Sequence, residues 1–205
     1  KEIADAVNDL RKQGAQKLIV DVRHAATGTP EEGIAVADLF LDKGTITYLM
    51  GQKVAKQAFD ATAAKSIWTG PLAVITNRGT AKGAEVFASA VLDSKRGEVI
   101  GERTYGDAAV RKPVLLDDGG AVILSVAKYY STASNKPLQD NGVTPSVPLA
   151  ESEPPAAAPD EENPDQPQDT PAPEGKPSED LLLKKAIEVL TSGKPAAVAA
   201  AAAAR

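Results

Sequence analysis

Over the first 150 residues, apolar positions alternate between helix-spaced stripes and short unbroken runs. Across 1–13, Ile3, Val7 and Leu10 lie three and four residues apart with polar residues between them, the spacing of one helix face. Gly14 is a stop signal, and the run 17–22 that follows reads as a buried strand. A second helix is predicted over 31–41, with Ile34, Ala37, Leu39, Phe40 and Leu41 apolar. Its first turn carries Glu31 and Glu32, where the helix dipole favours acids. Residues 45–50 are β-rich, and 72–76 is a short buried strand. A third helix is expected over 80–93, with Ala81, Val86, Phe87, Ala90 and Val91 inward. Strands at 98–101, 114–116 and 121–129 complete the set, with Asp118-Gly119-Gly120 as a hairpin turn. Residues 53–59 alternate, and propensity alone permits a helix there. Strands interleaved with helices argue for an α/β domain spanning 1–150.

The pattern then changes. Residues 151–178 hold 8 of the 15 prolines with Glu, Asp, Gln and Ala, and almost no large apolar side chain. Such a stretch buries too little surface to offset its conformational entropy and is predicted to be a disordered linker. Residues 179–192 are predicted to form an amphipathic helix, with Ser178 as its N-cap and Leu181, Leu182, Leu183, Ala186, Ile187, Val189 and Leu190 apolar. The Ala-rich tail 193–205 is left without an assignment.

The formal charge of -5 hides a division. Residues 151–180 carry -9, so the rest of the chain carries about +4. That body lacks the clustered basic and aromatic residues of a nucleic-acid surface. No apolar run approaches the roughly 18 residues of a membrane span. There is no cysteine, which excludes disulfides, thiol catalysis and Cys-ligated zinc. His24 is the only histidine, so a His-cluster metal site is excluded too, and no cofactor is expected. The chain begins at Lys1 and reads as a fragment, so any targeting signal would lie outside it.

One set of segments carries chemistry. Asn77-Arg78-Gly79-Thr80-Ala81-Lys82-Gly83-Ala84-Glu85 is followed by Gly101-Glu102-Arg103-Thr104-Tyr105-Gly106-Asp107. Together they resemble the core of the carboxyl-terminal processing (tail-specific) proteases, serine proteases of family S41. In that family the segments run close to N-E-G-S-A-S-A-S-E, with the nucleophilic serine, and G-E-R-T-F-G-K, with the lysine base. Leu18 to Arg23 is similar to the family's L-I-L-D-L-R strand, and 35–44 to its following helix. Ala127 to Ser131 resembles A-R-Y-Y-T, 139–145 the closing segment, and 183–187 the terminal helix. The resemblance implies a crotonase/ClpP-like α/β core, favours a strand over 53–59, and implies a PDZ domain upstream. It also implies an exported protein of the periplasm or cell envelope.

The frame survives in this resemblance and the dyad does not. The nucleophile position holds Lys82 and the base position Asp107, 25 residues on, the family's own separation. The family's glutamine four residues past the base is Arg111. A lysine offers no hydroxyl, and a neighbouring carboxylate holds its proton more firmly, so Lys82 is a poor nucleophile. The expectation is an inert Lys82–Asp107 ion pair in the old dyad site. The oxyanion loop, D-L-R-N-N-P-G-G in the family, has Thr27 for its first glycine and keeps Gly28, with Gly83 after the nucleophile position. His24 stands where an asparagine is usual and is read as a loop side chain. Thr80, the nearest hydroxyl, is the alternative nucleophile, against the simpler reading that it caps the helix. Asp21, Arg23, Glu85, Glu102 and Arg103 match the family frame and are read as structural.

The resulting expectation is a non-catalytic protease homologue that binds an extended peptide or protein C-terminus by strand addition, or assembles with protease subunits as a homo- or hetero-oligomer. A competing reading is an active serine endopeptidase using Thr80 with Lys82 or Lys112. A third is an assembly domain dimerising through the helix at 181–190.

Overall fold

The computed structural model describes residues 1–150 and 179–192. The predicted linker, the Ala-rich tail and the proposed cap Ser178 lie outside the described residues.

Two four-stranded sheets organise the chain. The first is parallel, with β1 (Leu18–Asp21), β4 (Leu72–Thr76), β5 (Glu98–Gly101) and β8 (Val147–Pro148) in the order β1-β4-β5-β8. The second is antiparallel, with β2 (Thr45–Gly51), β3 (Val54–Asp60), β6 (Ala109–Leu115) and β7 (Ala121–Tyr130) in the order β3-β2-β7-β6. The helices are α1 (Glu2–Lys12), α2 (Pro30–Ala37), α3 (Gly83–Asp93) and α4 (Leu181–Ser192).

The unbroken apolar run of β4 has a direct cause: the strand is buried on both faces. Leu72 and Val74 face a core shared with Val86, Phe87 and Val91 of α3, together with Phe40, Trp68 and Tyr129. Ala73 and Ile75, offset by one residue, join Ile100 in a second core closed by Leu182 and Ala186 of α4. Leu182 and Ala186 of α4 therefore cover their own chain's sheet, while Leu181, Leu183 and Ile187 stay exposed. Burying Leu182 alone is worth about 2 kcal/mol.

Several local readings shift. Residues 53–59, where propensity left helix open and the resemblance favoured strand, fall in β3 and pair antiparallel with β2. The helix expected over 31–41 ends at Ala37, and Leu39, Phe40 and Leu41 turn back on tightened hydrogen bonds to Val36 and Ala37. Those three side chains still reach the core or pack against it, which is why their spacing looked helical. The helix expected from residue 80 begins at Gly83 with Lys82 as N-cap. β6 starts at Ala109, earlier than its apolar residues suggested. The short β8 carried too little signal to be read from sequence. Among the described residues, α4 is capped by Asp180, whose carboxylate accepts the Leu183 amide at 2.9 Å. The hairpin turn forms where composition placed it, with Gly119 at φ 85° and the Leu116 amide donating to the Gly120 carbonyl at 2.8 Å.

Candidate active site

The site grows from the turn between β4 and α3. Thr80 is fully buried, and its hydroxyl donates to the Val22 carbonyl at 2.8 Å and accepts the Asn77 amide at 3.1 Å. It locks the end of β1 to the turn and does not cap α3, contrary to the simpler expectation. The Asn77 side-chain oxygen accepts the amides of His24 and Gly79, each at 3.0 Å. The Ala81 amide donates to the Ala25 carbonyl at 3.0 Å. These bonds hold loop 22–28 against the start of α3.

Glycines bring the backbones closer still. A Cβ on Gly33 of α2 would stand 2.1 Å from the Gly83 carbonyl oxygen, and one on Gly83 would stand 2.4 Å from the Thr29 carbonyl oxygen. The two helices meet backbone to backbone at this point, which no larger residue permits.

At the apex, Lys82 adopts φ 55°, ψ -120°. A side-chain-bearing residue there costs about 1–3 kcal/mol and persists only when its surroundings over-determine it. The chief restraint is Glu85. It is 0 % exposed and accepts four hydrogen bonds: from the Thr104 hydroxyl, the Gly106 amide at 2.6 Å, the Asp107 amide at 2.7 Å and the Lys82 amide at 3.2 Å. Burial pushes its carboxyl above the usual range, and the four donors pull it back only in part. Thr104 Oγ1 in turn accepts the Val143 amide at 2.8 Å, tying in the closing segment. The amides of Lys82 and Asp107 thus converge on one oxygen, Glu85 Oε2. Two positions 25 residues apart in sequence become neighbours through a buried carboxylate.

Their side chains do not pair. Asp107 is engaged by both terminal nitrogens of the Arg111 guanidinium, with Nη1 3.3 Å from Oδ2. The expected Lys82–Asp107 ion pair is replaced by Asp107–Arg111. The physical reason is geometry: a planar guanidinium matches a carboxylate through two parallel N–H groups, whereas an ammonium is a point charge. The β6 ladder also slips between Val110 and Arg111, the kind of bulge that re-aims a side chain. The Lys82 ammonium, half-buried, takes part in no ion pair or hydrogen bond among the described residues.

Loop 22–28 holds one left-handed glycine, Gly28 at φ 87°, and a second left-handed residue in His24 at φ 57°. Thr27 is not left-handed, so its side chain brings no backbone strain. The His24 ring contacts the Asn77 amide nitrogen, with Nε2 at 2.9 Å. One connection was not legible in sequence. Arg23 at the end of β1 binds Asp21 at 2.6 Å and Asp180 at 2.7 Å, linking this loop to the cap of α4. Asp21 and then Asp180 hold the guanidinium proton even more firmly than usual, and Arg23 holds the Asp180 carboxyl below its ordinary range. No group of three or more His, Asp or Glu side chains suited to a metal occurs among the described residues.

Residues 1–149 match the family described as peptidase family S41. The chain belongs to that family. It is 35% identical over 153 residues to carboxyl-terminal-processing peptidase 2, chloroplastic, of Arabidopsis thaliana, covering 74% of this chain and 30% of that protein. It is 36% identical over 148 residues to the carboxy-terminal processing protease CtpA of Bacillus subtilis, covering 72% of this chain and 31% of that one. The solved photosystem II D1 C-terminal processing protease superposes with a TM-score of 0.64 at 35% identity, over 72% of this chain and 38% of that one. The chain spans about a third of the length of these S41 relatives. They are bacterial and chloroplastic, and no described helix is long and apolar enough to cross a membrane.

Proposed function

We propose that this S41 chain is a non-catalytic module that binds extended peptides. The observation that carries the reading is the side-chain arrangement on an intact frame. Lys82 occupies the strained N-cap of α3, Asp107 is held beside it by Glu85, and neither supplies a hydroxyl or an amine base in a working pair. Asp107 is already engaged by Arg111. The alternative nucleophile fares no better: Thr80 is buried, and its proton is directed to the Val22 carbonyl. Acyl transfer needs a nucleophile and a base within hydrogen-bond reach of each other, and this constellation provides none.

The occupant is an extended peptide or protein C-terminus. β1 and β6 are outer strands of their sheets, and each leads into the site, β1 through loop 22–28 and β6 directly after Asp107. Outer strands take an added strand through main-chain hydrogen bonds. The uncompensated Lys82 ammonium favours an occupant bearing a carboxylate. The family relationship supports an exported location and assembly with protease subunits.

The test is cleavage of an unfolded protein, followed by mass spectrometry, with Lys82→Ala and Thr80→Ala beside the wild type. No products are expected. Products that vanish in either variant would overturn the proposal and place a non-standard serine-family site at this turn. Binding is then measured with a peptide carrying a free C-terminal carboxylate against its amidated form, the free acid binding more tightly and Lys82→Ala removing the difference.

A further inference from the structure

The β6–β7 hairpin outruns its sheet. β7 pairs with β2 only through Lys128, Tyr129 and Tyr130, whereas β6 follows β7 out to Ala121. The ribbon beyond is apolar on both faces. Val114 and Val122 are directly paired and share one face; Leu115 and Ile123 lie on the other, 80% and 70% exposed. With Leu116 and Leu124, six large apolar side chains lie exposed on one projecting element. A contiguous patch of this kind marks an interaction surface.

The charges around the patch say what covers it. The apolar run 113–116 is bounded by Lys112 at the root of the ribbon and Asp117 at its tip. Neither takes part in an ion pair among the described residues. Packed face to face and antiparallel, two ribbons are self-complementary: the face that carries Val114, Leu116, Val122 and Leu124 also carries Lys112 at its root, and the acidic tip at Asp117 of each copy reaches Lys112 of the other. A two-fold axis generates this arrangement, because the same patch serves both partners. A lipid surface fits less well, since Asp117 and Asp118 at the tip would be the first groups into an apolar phase. Pro113 has no amide hydrogen and sits on the outer strand, so the contact is packing of apolar faces, not continuation of the sheet.

We infer that the β6–β7 ribbon is a homodimer interface in which two hairpins pack antiparallel, tip to root. This does not depend on whether the neighbouring site is catalytic. It places the interface three residues past Arg111, so dimerisation sits at the edge of the candidate site.

Sedimentation velocity of the full chain across the micromolar range provides the test. The wild type is expected to dimerise. Lys112→Asp and Asp117→Lys are each expected to weaken association about tenfold or more, because like charges then face each other. Mixing these two variants restores a dimer, since an acidic root meets a basic tip in both directions. Val122→Ser with Leu124→Ser, on the face that carries Lys112, abolishes it while the thermal melt stays near that of the wild type. A wild type that stays monomeric throughout would overturn the inference, as would a dimer indifferent to these changes or a mixture that fails to associate. So would a monomer whose ribbon instead binds phosphatidylcholine–phosphatidylglycerol vesicles.

Discussion

The first turn of α3 and the β6–β7 ribbon lie a few residues apart in the fold and are built on opposite principles. Around α3 almost every polar group is buried and partnered, with Glu85 alone accepting four hydrogen bonds. On the ribbon, large apolar side chains stand in solvent with few contacts. The buried region holds a strained residue, Lys82, in place without asking anything of its side chain. That is why the backbone of this turn can hold its shape with a lysine at its apex. The frame is fixed by Glu85, Thr104, Gly33 and Gly83, so the identity of residue 82 is released from the task of folding. The ribbon is the reverse: its backbone is ordinary, and its side chains carry whatever role it has.

This contrast breaks most sharply at Glu85. Glu85→Ala leaves four donors facing a dry cavity and is expected to cost about 3 kcal/mol or more, read as a fall in the urea midpoint. Gly33→Ala should cost about 2–3 kcal/mol in the same measurement, because its Cβ would collide with the Gly83 backbone, which cannot give way as a side chain would. Thr80→Val, similar in shape but without the hydroxyl, should cost about 1–2 kcal/mol through the Asn77 amide left unpaired.

The link to α4 is weaker and depends on pH. The Asp180 carboxyl titrates below its ordinary value because of Arg23 and then the Leu183 amide. A depressed folded pKa means the ion form binds the folded state better. Its contribution is therefore present above the unfolded value, near 4, and lost as pH falls through the folded one. Hydrogen exchange of α4 amides should accelerate, relative to the intrinsic rate, below about pH 4, and Asp180→Asn should remove that dependence. The smallest effect belongs to the ribbon: Leu115→Ser should shift monomer stability by no more than about 0.5 kcal/mol. A large loss there would show that the ribbon's apolar faces are covered within the chain, and would erase the contrast.

Much of the fold was legible because one periodicity dominates each element. The both-face burial of β4 reads directly as Leu72-Ala73-Val74-Ile75, and the stripe of α4 as 181–190. The ends of elements were less so. Leu39 to Leu41 look helical by spacing yet leave the helix, since a turn can also return side chains to a core. Lys82, Asp107 and Arg111 were marked out by motif and separation, but the wrong pair was expected.

The sequence by itself determined the α/β layering, the family frame and the absence of a hydroxyl at residue 82, because these depend on residue type and local spacing. Only the tertiary structure decided that Asp107 pairs with Arg111, that Glu85 joins Lys82 to Asp107, that α4 closes a second core through Arg23 and Asp180, and that the ribbon stands exposed. Each of those is a contact between distant segments. Such contacts are settled by which partner offers better geometry in the folded space, and residue order does not encode that directly.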